Sequence, residues 1–237
     1  MTQVLILHST PTALGVRNAS PFCLKAETLL RLAGVAFEKR VSDPRSGPRQ
    51  KLPYLELPDG SVIADSRNIQ RHLEERGLLR LVPGPDDLLV RRLVEDHLYW
   101  IQVAFRWNHH PEAVRDAFFA PVPRAFRGLV FGLVRKQVRA ALHAQGTGRR
   151  PEDEQLALAR EDLTTLETVL GTRRFFGGDE PSVADASVHG LTSQLLATHL
   201  DDPLTQLAGT FSGLVAHHRR VEAAVYAEAP VRDAEAA

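Results

Sequence analysis

Ser20-Pro21-Phe22-Cys23-Leu24-Lys25 is the stretch whose residue types and order can carry chemistry. It lies where an apolar run hands over to a helical pattern, with Ser20 as N-cap and Pro21 as the first helical residue. At such a start, unpaired backbone N–H groups and the positive helix end converge on one point, a site for a thiolate or another anion. Ser20 and Cys23 stand at the two ends of a four-residue window. A hydroxyl forms no disulfide, so two-thiol redox cycling within this window is excluded. The Ser20 hydroxyl can instead donate a hydrogen bond to a bound thiolate. A free thiol titrates near ~8.5, and bringing it to about 6.5 takes roughly 2.7 kcal/mol. One charge-assisted hydrogen bond supplies about 1.5–3 kcal/mol and a helix terminus about 0.3–1 kcal/mol, so the two suffice. Cys23 is the second catalytic candidate, as a mixed-disulfide partner. Its position one turn inside the helix fits an inert buried thiol equally well.

Two further pairs belong with this segment. Leu52-Pro53 precedes a strand-like run, where a cis peptide would present the N–H and C=O of Leu52 to a peptide-like ligand. Asp65-Ser66 opens the next helix. The carboxylate can hold an ammonium while the hydroxyl and backbone N–H groups take a carboxylate. Taken alone, Asp-Ser is simply an N-cap; only the combination is specific. Ser182 followed by Asp185 reads as a capping box with no catalytic role. No metal site is expected. Adjacent His109-His110 point apart at a helix end, and His217-His218 beside Arg219-Arg220 read as a solvated face. Tyr99, Trp100, Phe105 and Trp107 either line an apolar pocket or fill a core.

The elements that must position these residues come in two textures. Residues 3–8 are a buried strand, 9–19 a loop, and 21–33 a helix with apolar residues at spacings of three and four, stopped at Gly34. A strand at 35–41 follows. Runs 54–57 and 61–64 flank Pro58-Asp59-Gly60, a hairpin signal, and a helix runs from Asp65-Ser66 to about Arg76. The order β-α-β, then β-β-α is that of a thioredoxin-like domain, assigned to residues 1–82. After the linker Pro83-Gly84-Pro85 everything reads helical, with helices at 86–108, 121–144, 152–170, 182–199 and 204–226. This all-helical domain spans 86–226, and the small, charged residues 227–237 are expected to form a disordered tail.

At 43% hydrophobic and 24% charged, the 237 residues exclude disordered, collagen-like and rod-like classes. Basic and acidic residues number 29 each, so no nucleic-acid partner is expected. Residues 1–80 hold 12 basic against 8 acidic side chains, which suits an anionic small ligand in the first third. One cysteine excludes an internal disulfide and a thiolate zinc cluster. The first residues lack a signal-peptide pattern, and the uncharged stretches 186–200 and 203–216 fall short of a membrane span. A cytoplasmic location follows as an expectation.

On four segments in order the chain resembles the glutathione S-transferase superfamily, closest to its metaxin and failed-axon-connections branch. They are SPFCLKAETLLRLAG, KLPYLEL with ADS, VEDHLYWIQVAFRW, and QGTGRR with the downstream helix holding Ala184, Asp185 and Ser187–Gly190. The resemblance implies an α/β thioredoxin-like domain followed by an all-α domain, with glutathione as co-substrate held by the first. It implies that Ser20 activates the thiol, that Leu52 before cis-Pro53 bonds the cysteinyl part, and that Asp65-Ser66 binds the γ-glutamyl end. It implies an electrophilic small molecule as second substrate and a homodimer. There are departures. Between the second strand and Pro53 only Ser42–Leu52 remain, so the usual second helix is shortened or lost. That leaves Arg45, Arg49 and Lys51 as cations for the glycyl carboxylate. The loop 9–19 is long for its place. Because the branch includes import and scaffold components, a non-catalytic binding or scaffold protein stands as the alternative to a glutathione transferase.

Overall fold

A computed structural model describes residues 4–79, 85–227 and 231–233. Strand β1 (Leu5–Ser9), helix α1 (Pro21–Leu32) and strand β2 (Phe37–Val41) form the first β-α-β unit, with β1 and β2 parallel. Strands β3 (Tyr54–Glu56) and β4 (Val62–Ala64) make the expected hairpin at Pro58-Asp59-Gly60, and α2 (Ser66–Glu75) follows. Between β2 and β3 the chain makes two short 3-10 turns, Pro44–Ser46 and Pro48–Gln50, in place of a helix. Three prolines and glycines in this stretch leave too few uninterrupted residues for helical propagation.

Residues Val231–Asp233 add a strand, β5, parallel to β2, giving the order β4-β3-β1-β2-β5. The segment expected to form a tail therefore closes one sheet edge; residues 228–230 and 234–237 lie outside the described residues. The same holds for Pro83 and Gly84 of the linker, while Pro85 opens α3 (Pro85–Arg92).

The single helix expected over 86–108 is three pieces: α3, a π-turn at Leu93–Leu98, and α4 (Tyr99–His109). The wide turn holds Glu95, which accepts from Lys25 Nζ at 2.6 Å, and His97, which bonds Asp162 at 2.6 Å. A short helix, α5 (Pro111–Phe118), follows, which the sequence reading leaves as a connection. Then come α6 (Arg124–Gln145), α7 (Glu152–Leu170) and α8 (Val183–Leu196). The helix expected at 204–226 breaks at Thr210-Phe211 into α9 (Pro203–Gly209) and α10 (Ser212–Tyr226).

Helix α8 is the centre of the molecule, with 13 of its 14 residues buried. An all-round buried helix needs partners on every side, and α8 has α1, α3, α9 and α10. Its start is fixed by Asp185, which is fully buried. The carboxylate accepts from the N–H groups of Phe176, Gly177 and Ser182 at 2.7–3.0 Å and from the Ser182 hydroxyl at 2.8 Å. His217 Nε2 donates to it at 2.7 Å. Ser182 and Asp185 thus form the capping box, extended to a second helix. Burial works to raise the Asp185 pKa, but the His217 bond and the backbone N–H groups outweigh it and hold the carboxyl below its usual range.

Gly190, one turn and a half further on, lets α8 touch α1. A Cβ there would lie 2.5 Å from the Pro21 carbonyl oxygen, a backbone atom that cannot step aside. Gly190→Ala is expected to cost about 1–3 kcal/mol as an overpacked contact, seen as a lowered urea midpoint at constant slope. Asp185→Asn is expected to cost about 3–5 kcal/mol, because it leaves buried donors facing an amide N–H₂. Since the folded Asp185 pKa is depressed, its contribution is complete above the unfolded value of about 3.9 and is lost as pH falls through the folded value. Urea melts at neutral and at acid pH should therefore show the gap between wild type and Asp185→Asn narrowing on the acid side.

Candidate functional site

The loop before α1 is pinned from below by polar bonds. Asn18 is fully buried and donates to Ser9 Oγ at 2.5 Å, and the Thr10 hydroxyl donates to Asn18 Oδ1. Helices α4 and α8 hold the loop from the other side. Arg106 donates to the Ala19 carbonyl at 2.8 Å and to Gln194 Oε1 at 2.6 Å, while Gln194 Nε2 donates to the Asn18 carbonyl at 2.9 Å. The Leu14 carbonyl accepts from the Thr198 hydroxyl at 2.8 Å. The unusual length of this loop is thus used to reach the helical half. Arg106 is almost entirely buried, and burial lowers its pKa to about 10, still far above neutrality.

That framework sets Ser20, which is half-buried and caps α1. Its N–H donates to Thr10 Oγ1 at 3.1 Å and Asn18 Oδ1 at 3.2 Å, and its Oγ accepts from the Cys23 N–H over a long 3.4 Å. No acidic side chain occupies the first turn of α1, so the positive helix end is not neutralised from within. Cys23 differs. It has no exposed surface, and burial pushes its thiol up more strongly than hydrogen bonds from Ser20, Thr10 and Ser9 bring it down. In this conformation the thiol is neither reachable nor poised as a thiolate.

The register of the sheet brings the remaining candidates to the same end of the strands. His8 pairs with Tyr54 across β1 and β3, so the chain just after β1 runs beside Leu52-Pro53. Tyr54 pairs with Ala64, which sets Pro53 against Asp65, and the Asp65 N–H donates to the Pro53 carbonyl at 3.0 Å. The Leu52–Pro53 peptide is cis, as expected. Asp65 caps α2 by accepting from the Arg67 N–H at 2.9 Å, and Ser66 is buried beneath it. Asp65 stands at φ 78°, ψ 136°, a conformation that costs a non-glycine residue roughly 1–3 kcal/mol and recurs at ligand-holding positions. Of the three cations beyond β2, Arg45 is engaged by both oxygens of Asp43. Arg49 and Lys51 are exposed and make no side-chain bond among the described residues.

Of the four aromatics, only Tyr99 comes to the head of α1, edge-on to Phe22 at 4.8 Å. Trp100 packs on Tyr99, Trp107 stacks on Phe131, and Phe105 lies in the helical core. A cavity of about 480 Å³ lies elsewhere, among α4, α6 and α7, lined by Phe105, His109, Arg139, His143 and Arg150 among others. Sequence reasoning missed Lys25, buried and ion-paired with Glu95, and Arg106. Neither has a local signal, since each is bonded to residues 70 or more positions away. The expectation of a solvated face at His217-His218 is corrected. His217 is fully buried on Asp185, and His218 is 9% exposed against His189, because α10 turns this face onto α8.

Residues 21–113 match the family model for the glutathione S-transferase N-terminal domain, and residues 159–221 match that for the C-terminal domain. Isoprene-epoxide–glutathione S-transferase of Rhodococcus sp. (strain AD45) is 29% identical over 204 residues, covering 78% of this chain and 84% of that protein. Failed axon connections of Drosophila melanogaster is 30% identical over 198 residues, covering 75% and 47%, and metaxin-1 of Homo sapiens is 29% identical over 188 residues, covering 73% and 40%. The chain spans less than half the length of these last two. The crystal structure of the β-etherase LigF from Sphingobium sp. strain SYK-6 superposes with a TM-score of 0.64 at 19% identity, covering 93% of this chain and 95% of that one. A glutathione complex of a glutathione S-transferase from Ceriporiopsis subvermispora gives 0.57 at 15% identity, covering 89% and 97%. Identities this low speak for the fold alone, and the fold agrees with the two domain models, which fall in order along one sequence. A thioredoxin-like sheet domain followed by a helical domain, matched in both halves, shows that the chain belongs to the glutathione S-transferase family.

Proposed function

We propose that the protein is a glutathione transferase in which Ser20 stabilises the thiolate of bound glutathione for attack on a small electrophile. The observation that carries the reading is the convergence at one end of the sheet of a half-buried Ser20 capping α1, the cis Leu52–Pro53 peptide and the Asp65-Ser66 pair. The Leu52 backbone takes the cysteinyl part of the tripeptide, Asp65 its ammonium, and Ser66 with the start of α2 the neighbouring carboxylate. Arg49 and Lys51 are the free cations for the glycyl carboxylate. The thiol proton leaves to solvent, and the sulfur, held by the Ser20 hydroxyl and the α1 terminus, forms a bond to carbon as the leaving bond breaks. An epoxide is the first electrophile to try, because the Rhodococcus relative is named for one. There the carbon–oxygen bond opens, and the alkoxide takes a proton from water. The rate comes from preorganised donors, and this chemistry calls on no metal. The reading includes a cytoplasmic location, where glutathione is kept reduced, and a homodimer.

A second reading, a binding or scaffold protein that keeps the fold without catalysis, is favoured by one feature. The two 3-10 turns at Pro44–Gln50 stand where a helix would help close the ligand's glycyl end. Calorimetric titration with glutathione followed by a conjugation assay separates the two. Binding at millimolar ligand or tighter, with Ser20→Ala lowering kcat about 10- to 150-fold, is the expected result, the loss of one charge-assisted hydrogen bond. Absence of binding at that concentration leaves the scaffold reading. Unchanged turnover in the variant removes the role of Ser20.

Cys23 takes no covalent part in this mechanism. Native protein should therefore react with iodoacetamide at least about tenfold more slowly than the urea-unfolded chain. Equal rates would return Cys23 to the mechanism as a mixed-disulfide residue.

A further inference from the structure

Behind α1, away from the thiol edge, α8 and α10 bring together three metal-ligating side chains. His189 comes from α8, and His218 and Glu222 from successive turns of α10. One ligand atom from each lies within 4.8 Å of the other two. His189 Nε2 is 2.9 Å from Glu222 Oε1, and the His189 and His218 rings stack at 5.1 Å with 14° between planes. His218 Nδ1 is buried and has no hydrogen-bond partner among the described residues. In a site this closed an orphaned imidazole nitrogen asks for a donor or a cation.

The bonds around His189 sharpen the point. Thr28 Oγ1 of α1 bonds the Leu24 carbonyl and the Tyr226 hydroxyl, each at 2.9 Å, and lies 3.4 Å from His189 Nδ1. His189 Nε2 faces Glu222 Oε1 at 2.9 Å and donates to it in the metal-free protein; with a metal on Nε2 the imidazole proton goes to Nδ1, towards the Thr28 oxygen. Thr28 then serves as the outer partner that fixes tautomer and ring orientation. Glu222 gives its other oxygen to Arg17 at 2.7 Å, so one carboxylate oxygen is committed and one remains.

We propose that His189, His218 and Glu222 form a site for one divalent transition metal, Zn(II) in the first instance, that ties α10 to α8. Two imidazoles and one carboxylate are a three-ligand zinc set whose fourth position goes to water. Zinc–ligand bonds of about 2.0–2.2 Å place neighbouring ligand atoms about 3.4 Å apart. The ligand atoms, at most 4.8 Å apart, would then close by no more than about 1.4 Å.

The test uses the full-length protein, stripped with a chelator and titrated with ZnCl₂ by calorimetry, with Co(II) absorption as an optical probe of coordination. One zinc per chain, a rise in Tm on binding and a tetrahedral cobalt spectrum are expected. His218→Gln and Glu222→Gln should each weaken zinc at least tenfold while the far-ultraviolet circular dichroism stays as in wild type, and His109→Gln should leave it unchanged. Should one variant fail to fold, the other carries the test. No zinc uptake by the wild type at micromolar concentration overturns the proposal. So does uptake that survives both substitutions, or that is lost only in His109→Gln.

Discussion

The contact on which the arrangement depends is the backbone touch between α8 and the first turn of α1. It is permitted only because residue 190 has no side chain to meet the Pro21 carbonyl. Helix α1 carries Ser20 at its head, so the placing of Ser20 is decided by how closely a helix of the other domain approaches. Bonds either side of Gly190 then fix direction as well as distance. Gln194 holds the Asn18 carbonyl, Ser187 donates to Glu95 at 2.6 Å, and Glu95 in turn accepts from Lys25 of α1. The helical domain is a ruler against which the head of α1 is set.

This polar content of α8 is energetically expensive. Lys25 is 1% exposed and burial lowers its pKa, opposed by Glu95. Buried ion pairs of this kind seldom stabilise more than hydrophobic replacements would, because desolvation of both charges offsets their attraction. What the pair does give is registry. An apolar α8–α1 interface would tolerate sliding, whereas Lys25, Glu95 and Ser187 are satisfied together in one alignment. Asp185 does the same at the start of α8, tying the preceding loop and α10 to a single carboxylate.

Much of this was legible in the sequence where the cause is local. Ser20-Pro21, the hairpin glycine, the Ser182–Asp185 box and the missing helix after β2 all act within a few residues of themselves. The breaks were not. The π-turn at Leu93–Leu98 interrupts a continuous helical pattern, and its reasons, Lys25 and Asp162, lie far along the chain. His217 and His218 beside two arginines look solvated until α10 is seen packed on α8 with Asp185 and His189 waiting. The added strand at Val231–Asp233 depends on β2 offering an unpaired edge, which composition does not disclose. Of the candidate site, the Ser20 cap, the cis Leu52–Pro53 peptide and the helix start at Asp65-Ser66 could be read in the sequence; the polar loop that holds Ser20 could not.

The contrast between Ser20 and Cys23 shows how one helix turn separates two chemistries. Both are near the positive end of α1, and both are linked through the Ser20 Oγ to Cys23 N–H bond. Proximity to the helix terminus would ionise a thiol only if water or a ligand's charge could reach it. Cys23 is sealed, and burial outweighs every hydrogen bond directed at its sulfur. Ser20 is one step outside that seal, half-buried, and on the proposed reading its hydroxyl turns from the Cys23 sulfur to an arriving anion. The family's fold supplies the helix end; solvent access at a single position decides which side chain can use it.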